Sequence, residues 1–393
     1  MQSHRAMNSV SVVACDDYAI DHVTDALNAA LTPLGGMAAF VAPGQRVLLK
    51  VNLLSRALPE RAVTTHPEVV RALIRSVRDA GGIPVVGDSP GGPNTLAQVR
   101  RVWNETGIAA VCEEESAELV LFDDRCTRVA APGGLLYSSF TVGAEVVEAD
   151  VLITVPKFKT HGLMMFTGAV KNLFGCIPGL QKAQYHLTVP DRHDFGEMLV
   201  DLALACRPAL SVMDAVVGME GEGPAGGDPR HIGALLASAD PFALDVVASA
   251  MAGLDPLEVY TVRAAAGRGL GPSAVGEIDV SGDWRSFAPS SFALPTRDLA
   301  ARLPVWLGRR LRTLTTSRPR LDRQGDCTRC RVCAMSCPVD AITVGVDGPV
   351  FDHAKCIRCY CCQELCPPQA IGLDTPVLAR LVSRERRSDS ART

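Results

Sequence analysis

Cys327-Thr-Arg-Cys330-Arg-Val-Cys333-Ala-Met-Ser-Cys337-Pro338 is followed, 29 residues on, by Cys356-Ile-Arg-Cys359-Tyr-Cys361-Cys362-Gln-Glu-Leu-Cys366-Pro367. Both runs read C-x2-C-x2-C-x3-C-P, and the likeness continues past the ligands, since Cys337-Pro-Val-Asp-Ala-Ile matches Cys366-Pro-Pro-Gln-Ala-Ile. Three thiolates on one tight loop grip three corners of a cubane, and the fourth is carried away to a second cluster. The spacing therefore predicts two 4Fe-4S clusters. One is held by Cys327, Cys330, Cys333 and Cys366, the other by Cys356, Cys359, Cys362 and Cys337. Zinc suits an isolated C-x2-C pair but not a duplicated four-cysteine run closed by proline. Cys361 is left over and reads as a small packed or exposed residue. Arg329, Arg331 and Arg358 stand between ligands, where positive charge favours the reduced clusters.

This duplication resembles the bacterial two-cluster ferredoxins, which implies a small α+β ferredoxin-like domain over residues 323–375, with a charged tail at 376–393. Working outward, the chain has 393 residues, 47% of them apolar, enough for a large domain besides this module. Fourteen cysteines behind a start, Met1-Gln-Ser-His-Arg5, without the apolar core of a secretory signal point to metal ligation and the cytoplasm. A net charge of −4 with no strongly basic half argues against nucleic acid. No run approaches the roughly 18 apolar residues of a membrane span.

Residues 1–280 alternate between strands and helices. Ser9 to Ala14, Arg46 to Val51, Ile83 to Val86, Leu119 to Phe122, Val151 to Val155 and Ala209 to Met213 are short apolar or β-branched runs. Between them lie helical patterns at Ile20 to Leu31, from Pro67 to the Gly81-Gly82 stop, at Asp194 to Cys206 and at Asp240 to Met251. Leu135 to Val142 reads as part of an antiparallel hairpin. Such alternation predicts an α/β domain, a mostly parallel sheet with helices on both faces. Residues 281–322 form a linker in which Leu303 to Leu314 has the pattern of a short basic amphipathic helix.

Polar residues gather at the carboxyl ends of these strands, where open parallel sheets bind ligands. Lys50 and Asn52 end one, Asp88 and Ser89 another, and Lys157, Lys159 and His161 a third. Asp214 ends a fourth, ahead of a Gly-rich loop, Gly218 to Gly227, that carries Glu220. Only six basic residues are lysine, and four of them lie between Lys157 and Lys182. Lys157, Lys159 and Lys171, with Asn172, sit on loop-like, glycine-punctuated backbone suited to an anion such as a carboxylate or phosphate. His161 or Asp88 then handles protons, with Lys159 beside them as the third catalytic candidate. His66, His186 and His193 read as packed or capping residues. Gly221-Glu-Gly223-Pro-Ala-Gly226 matches G-x-G-x-x-G but leads into no helix, so a nicotinamide site is unsupported. Gly87-Asp-Ser-Pro-Gly91 matches G-x-S-x-G, yet Pro90 lacks the N–H that an oxyanion hole needs.

Taken together, Val47 to Asn52, Thr65-His-Pro67, Gly87 to Gly91, Pro156 to His161, Thr167 to Gly175 and Asp214 to Gly227 resemble the iron–sulfur family called domain of unknown function 362. The resemblance covers about residues 9 to 280 and implies the arrangement above, members often carrying a ferredoxin module. It implies no substrate. The reading is an iron–sulfur oxidoreductase, with a small anionic substrate and a redox carrier protein as partners. Two other classes compete with it. One is a non-catalytic electron-transfer or cluster-sensing protein, the other a non-redox enzyme with structural clusters. A polar pocket facing the clusters favours the first, a flat strand-end surface the second.

Overall fold

Leu48, Val85, Leu152, Met213 and Leu236 pack into one core, while their neighbours Val47, Leu49, Val86, Val151, Val212 and Leu235 pack into another. Alternate residues of each strand are thus buried on opposite faces, which only a sheet covered on both sides allows. In the computed structural model, which describes residues 8–92, 94–179, 181–295, 316–374 and 376, these strands form one ten-stranded sheet.

Its strands are β1 (Ser9–Ala14), β2 (Arg46–Lys50), β3 (Ile83–Asp88) and β4 (Glu118–Leu121), then, past a separate hairpin of β5 (Cys126–Ala130) and β6 (Ser139–Gly143), β7 (Val151–Thr154), β8 (Lys157–His161), β9 (Met165–Phe166), β10 (Leu210–Glu220), β11 (Asp228–Ser238) and β12 (Asp279–Ser281). The order is β12-β1-β11-β10-β7-β2-β3-β4, with β8 beside β10 and β9 beside β8. The run β10-β7-β2-β3-β4 is parallel throughout, while β11 is antiparallel to both β1 and β10. Helices Ile20–Leu31 and Pro67–Asp79 cover one face, Arg192–Cys206 and Pro241–Met251 the other. Pro67 opens its helix where a missing N–H costs nothing, and the His66 ring accepts the Glu68 N–H as cap.

The expected α/β architecture is present, with three differences. Lys157–His161, expected as loop, is a strand whose five residues are all buried. The strand expected at Ala209 to Met213 runs on to Glu220 and turns back through β11, so the Gly-rich segment is a hairpin loop. Packing of the large domain continues past residue 280, because Phe292 and Leu294 lie against its core. The expected linker helix falls outside the described residues, as does nearly all of the tail.

The C-terminal module pairs β13 (Arg318–Leu321) with β16 (Ile371–Asp374) and β14 (Ile342–Gly345) with β15 (Gly348–Phe351), all antiparallel. Two short helices, Val332–Met335 and Cys361–Glu364, lie within the two cysteine runs. Among the described residues no helix is long and apolar enough to cross a membrane.

Candidate functional site

Parallel strands deliver their last side chains to one edge of the sheet, and there a partly open cavity is lined by residues of that edge and of the C-terminal module. Lys50 and Asp88, ending β2 and β3, form its floor as a buried ion pair of 2.9 Å. Burial pushes the Asp88 carboxyl up, against the pull of Lys50. The same carboxylate accepts the N–H groups of Leu53 and Ser89, both at 2.7 Å, so it fastens two loops and has little acceptor capacity left.

Other predicted residues are also engaged. Lys159 donates to Asn52 Oδ1 at 2.8 Å and to the Val63 carbonyl at 2.5 Å. Asn52 in turn donates to Asn172 Oδ1, and Asn172 to Thr154 Oγ1, both at 2.9 Å. Ser89 Oγ accepts from the Gly179 N–H and from Lys182 Nζ, at 2.9 and 2.7 Å. Burial lowers Lys159 well below an ordinary lysine and brings Lys182 down to about 8.

Another set of groups in the cavity has no such ties. His161 Nδ1 accepts the N–H groups of Leu163 at 3.1 Å and Met164 at 3.3 Å, which leaves the proton of the neutral ring on Nε2. Burial, then nearby Lys171, hold His161 well below its usual range. Among the described residues Nε2 has no hydrogen-bond partner, and it stands 3.6 Å from Glu364 Oε1. Thr167 Oγ1 and Ser336 Oγ are likewise buried without partners among the described residues. Lys171 Nζ lies 5.6 Å from the centre of the Phe174 ring and makes no hydrogen bond among the described residues. The short helix carrying Lys171, Gly168–Asn172, is held by Asp245, which accepts the N–H groups of Ala169 and Val170 at 2.5 and 3.1 Å. Buried polar groups are nearly always satisfied, so orphans gathered in one cavity mark it as a place for a ligand.

Of the predicted residues, Lys50, Asn52, Asp88, Ser89, Lys159, His161, Lys171 and Asn172 all line this cavity. Lys157, Asp214 and Glu220 do not. Lys157 and Asp214 pair at 2.7 Å, fully buried, with the Tyr18 hydroxyl 2.8 Å from Lys157 and 2.9 Å from Asp214. Glu220 accepts the Ala293 N–H at 2.9 Å and holds the end of the domain. The β8 register explains the parting of Lys157 from Lys159. The first opposes Asp214 and the second Met219, so an irregularity of the pair turns the two lysines to different surroundings. His186, expected as packed, stacks on Phe195 at 4.7 Å and also borders the cavity.

Four lining residues come from the module: Ser336, Cys361, Glu364 and Leu365. Sequence reading missed their role because they lie inside the cysteine runs, where ligand spacing dominates. It also passed over Thr167 and Lys182, the latter signalled by the scarcity of lysine. The two glycine loops that resembled ligand motifs are a seat for the module. A Cβ on Gly91 would lie 2.2 Å from Leu365 Cδ2, and one on Gly226 would lie 2.6 Å from Gln363 Nε2. Arg61 donates to Gln369 Oε1 at 2.8 Å, and Gln369 to the Ala225 carbonyl. Gly91→Val is expected to cost about 1–3 kcal/mol by overpacking this seat. The expected sign is faster proteolysis between the domains with iron content unchanged, and wild-type resistance would refute the seat.

The eight predicted cysteines surround two voids. One, of about 320 Å³, is lined by Cys327, Cys330, Cys333 and Cys366, and the other, of about 350 Å³, by Cys337, Cys356, Cys359 and Cys362. In each set three thiols come from one run and the fourth from the other, which fits a cubane's donor requirement. Among the described residues no three metal-ligating side chains converge as on a single ion. Cys361, expected as a small packed or exposed residue, is buried, interacts with Cys359 and lines both the second void and the cavity.

Comparison with known proteins agrees with this division. A 4Fe-4S binding domain matches residues 323–343. A thylakoid-associated protein of Synechocystis sp. is 41% identical over 269 residues, 68% of this chain and 82% of that protein. Among solved structures, the lactate racemase apoprotein of Thermoanaerobacterium thermosaccharolyticum aligns over 61% of this chain and 56% of its own, at 13% identity and a TM-score of 0.38. A Thermotoga maritima protein aligns over 56% of this chain and 55% of its own, at 13% identity and a TM-score of 0.36. The family described as Domain of unknown function (DUF362) matches residues 47–250. With that match across the cavity-bearing domain and a 4Fe-4S binding domain behind it, the chain is an iron–sulfur protein and belongs to the DUF362 family.

Proposed function

We propose that this protein is an iron–sulfur oxidoreductase that passes electrons through two four-iron clusters to an anionic organic substrate in the cavity. One observation carries the reading. The cavity is walled on one side by lysines and His161 of the large domain, and on the other by Cys361 and Glu364 of the loop that holds the second set of cysteines. When bound, the clusters supply single electrons. Lys171 attracts the anion and stabilises negative charge as it develops, and its lack of a hydrogen-bond partner among the described residues leaves it available. His161, neutral and carrying its proton on Nε2, offers that N–H as a hydrogen bond to the charge developing on the reduced substrate. Lys50, Asn52, Asp88, Ser89, Lys159 and Asn172 hold these groups in place through the bonds described above. The polar cavity also weighs against a pure carrier, for which a flat docking face would suffice.

Anion binding tests the reading. Sulfate or phosphate is expected to raise the thermal midpoint of the anaerobic protein by a few degrees, and Lys171→Met to remove most of that gain. A lysine whose pKa is lowered sheds its charge at a lower pH than usual. Lys182 does so near 8, and Lys171 and Lys159 are shifted the same way by burial. Protection should therefore decline as pH rises through about 8. Undiminished protection at pH 10, or equal protection of the variant, would place the anion elsewhere.

A further inference from the structure

Taken as a substrate site, the cavity describes its ligand more closely through its own charges. Lys50, Lys159, Lys171 and Lys182 line it against only two carboxylates, Asp88 and Glu364. Burial keeps His161 and His186 neutral, the latter with a pKa near 3. Asp123, which accepts from Asn94, stands behind Lys182 as a further carboxylate at that side but does not line the cavity. Lysines thus outnumber carboxylates in the lining, and an ammonium that keeps its charge in a buried, partly apolar space calls for counter-charge.

The groups fall at two ends. At one, Lys171 and Lys159 face Glu364, beside the orphaned Nε2 of His161 and Oγ1 of Thr167. At the other, Lys182 and Lys50 share Asp88 around the Ser89 loop. Ser336 belongs to this second end, since its orphaned Oγ lies 3.3 Å from where a Gly92 Cβ would stand. Each end thus presents lysines to the cavity and keeps an unused hydroxyl or imidazole donor. Apolar wall from Leu53, Leu54 and Leu365 completes the lining, suited to carbon rather than water.

We propose that the ligand is a small organic dianion of the dicarboxylate class, with one acid group among Lys171, His161 and Thr167 and the other beside Lys182 and Ser336. This rests on the substrate-site reading and narrows it, because a monocarboxylic acid or a free phosphate satisfies one end only.

The test is calorimetry on the anaerobic, cluster-loaded full chain, with succinate and glutarate as probes against butyrate and pentanoate. Dicarboxylates are expected to bind at least about tenfold more tightly than monocarboxylates of equal length. Lys171→Met should bring that ratio down to about one. Ser336→Ala should weaken the dicarboxylates alone by about 3–10-fold. Both side chains lack hydrogen-bond partners among the described residues, so their removal leaves the fold supported. Equal binding of the two classes by the wild type, or an advantage that survives both variants, overturns the dianion while the anion site stands. No binding of any acid by the wild type overturns the substrate site as well.

Discussion

Cys366→Ser is expected to halve the iron of the anaerobic protein, from about eight atoms per chain to about four. The iron lost is the set held with Cys327, Cys330 and Cys333, because Cys366 reaches the void lined by those three rather than the one beside its own run. Second substitutions identify which set has gone. Adding Cys330→Ser should remove nothing more, since that site is already empty. Adding Cys359→Ser should take the remaining iron, since Cys359 lines the other void. Iron and acid-labile sulfide assays measure both. The opposite pattern would mean that each run holds its own cluster, and the crossed arrangement would be wrong. Zinc in place of iron would refute the cluster assignment altogether.

His161→Ala is expected to slow reoxidation of the dithionite-reduced protein by its substrate about 100-fold or more, the usual range for losing a donor aimed at developing charge. Iron content and reducibility should not change, because His161 lines neither of the two cysteine voids. Alanine also strips the Leu163 and Met164 N–H groups of their acceptor, a cost of about 1–3 kcal/mol. His161→Asn separates the two effects, since its amide oxygen can take the place of Nδ1 while nothing replaces the Nε2 proton. Both variants should be slow with substrate and normal with ferricyanide, which needs no such donor. Slowing with ferricyanide too would locate the damage in the module. Wild-type rates throughout would end the hydrogen-bond-donor role, and partner docking would become the better reading.

The parts of this fold that follow local rules were legible. Val47 to Leu49 and Val151 to Ile153 are continuous apolar runs, and Pro67 to Asp79 carries its own start and stop signals. Lys157–His161 misled because its lysines and histidine break the apolar pattern of a buried strand. Tertiary partners, Asp214 and Tyr18 for Lys157 and Asn52 for Lys159, offset what burial costs, and none of them is near in sequence. Which lysine joins the cavity depends on the β8 register, which period-2 alternation places on one face and the irregular pairing does not. The cysteine grouping expected from spacing recurs in the lining of the two voids, because it depends on spacing within one module. The module's share of the cavity could not, since Glu364 and Ser336 acquire their meaning only from a surface nearly two hundred residues away.

The seating of Leu365 against Gly91 bears on how such a protein can be rebuilt. Leu365 immediately precedes Cys366, so the residue that fits the large domain is joined by one peptide bond to a proposed cluster ligand. The C-terminal part is therefore not an interchangeable cassette. A chimera bearing another ferredoxin would keep every metal-binding cysteine and could fold and load iron. It would still lack the surface that completes the cavity, and the orphaned donors of the large domain would open onto solvent. Whatever chemistry the pair performs, the two halves answer to one another at the resolution of single methyl groups.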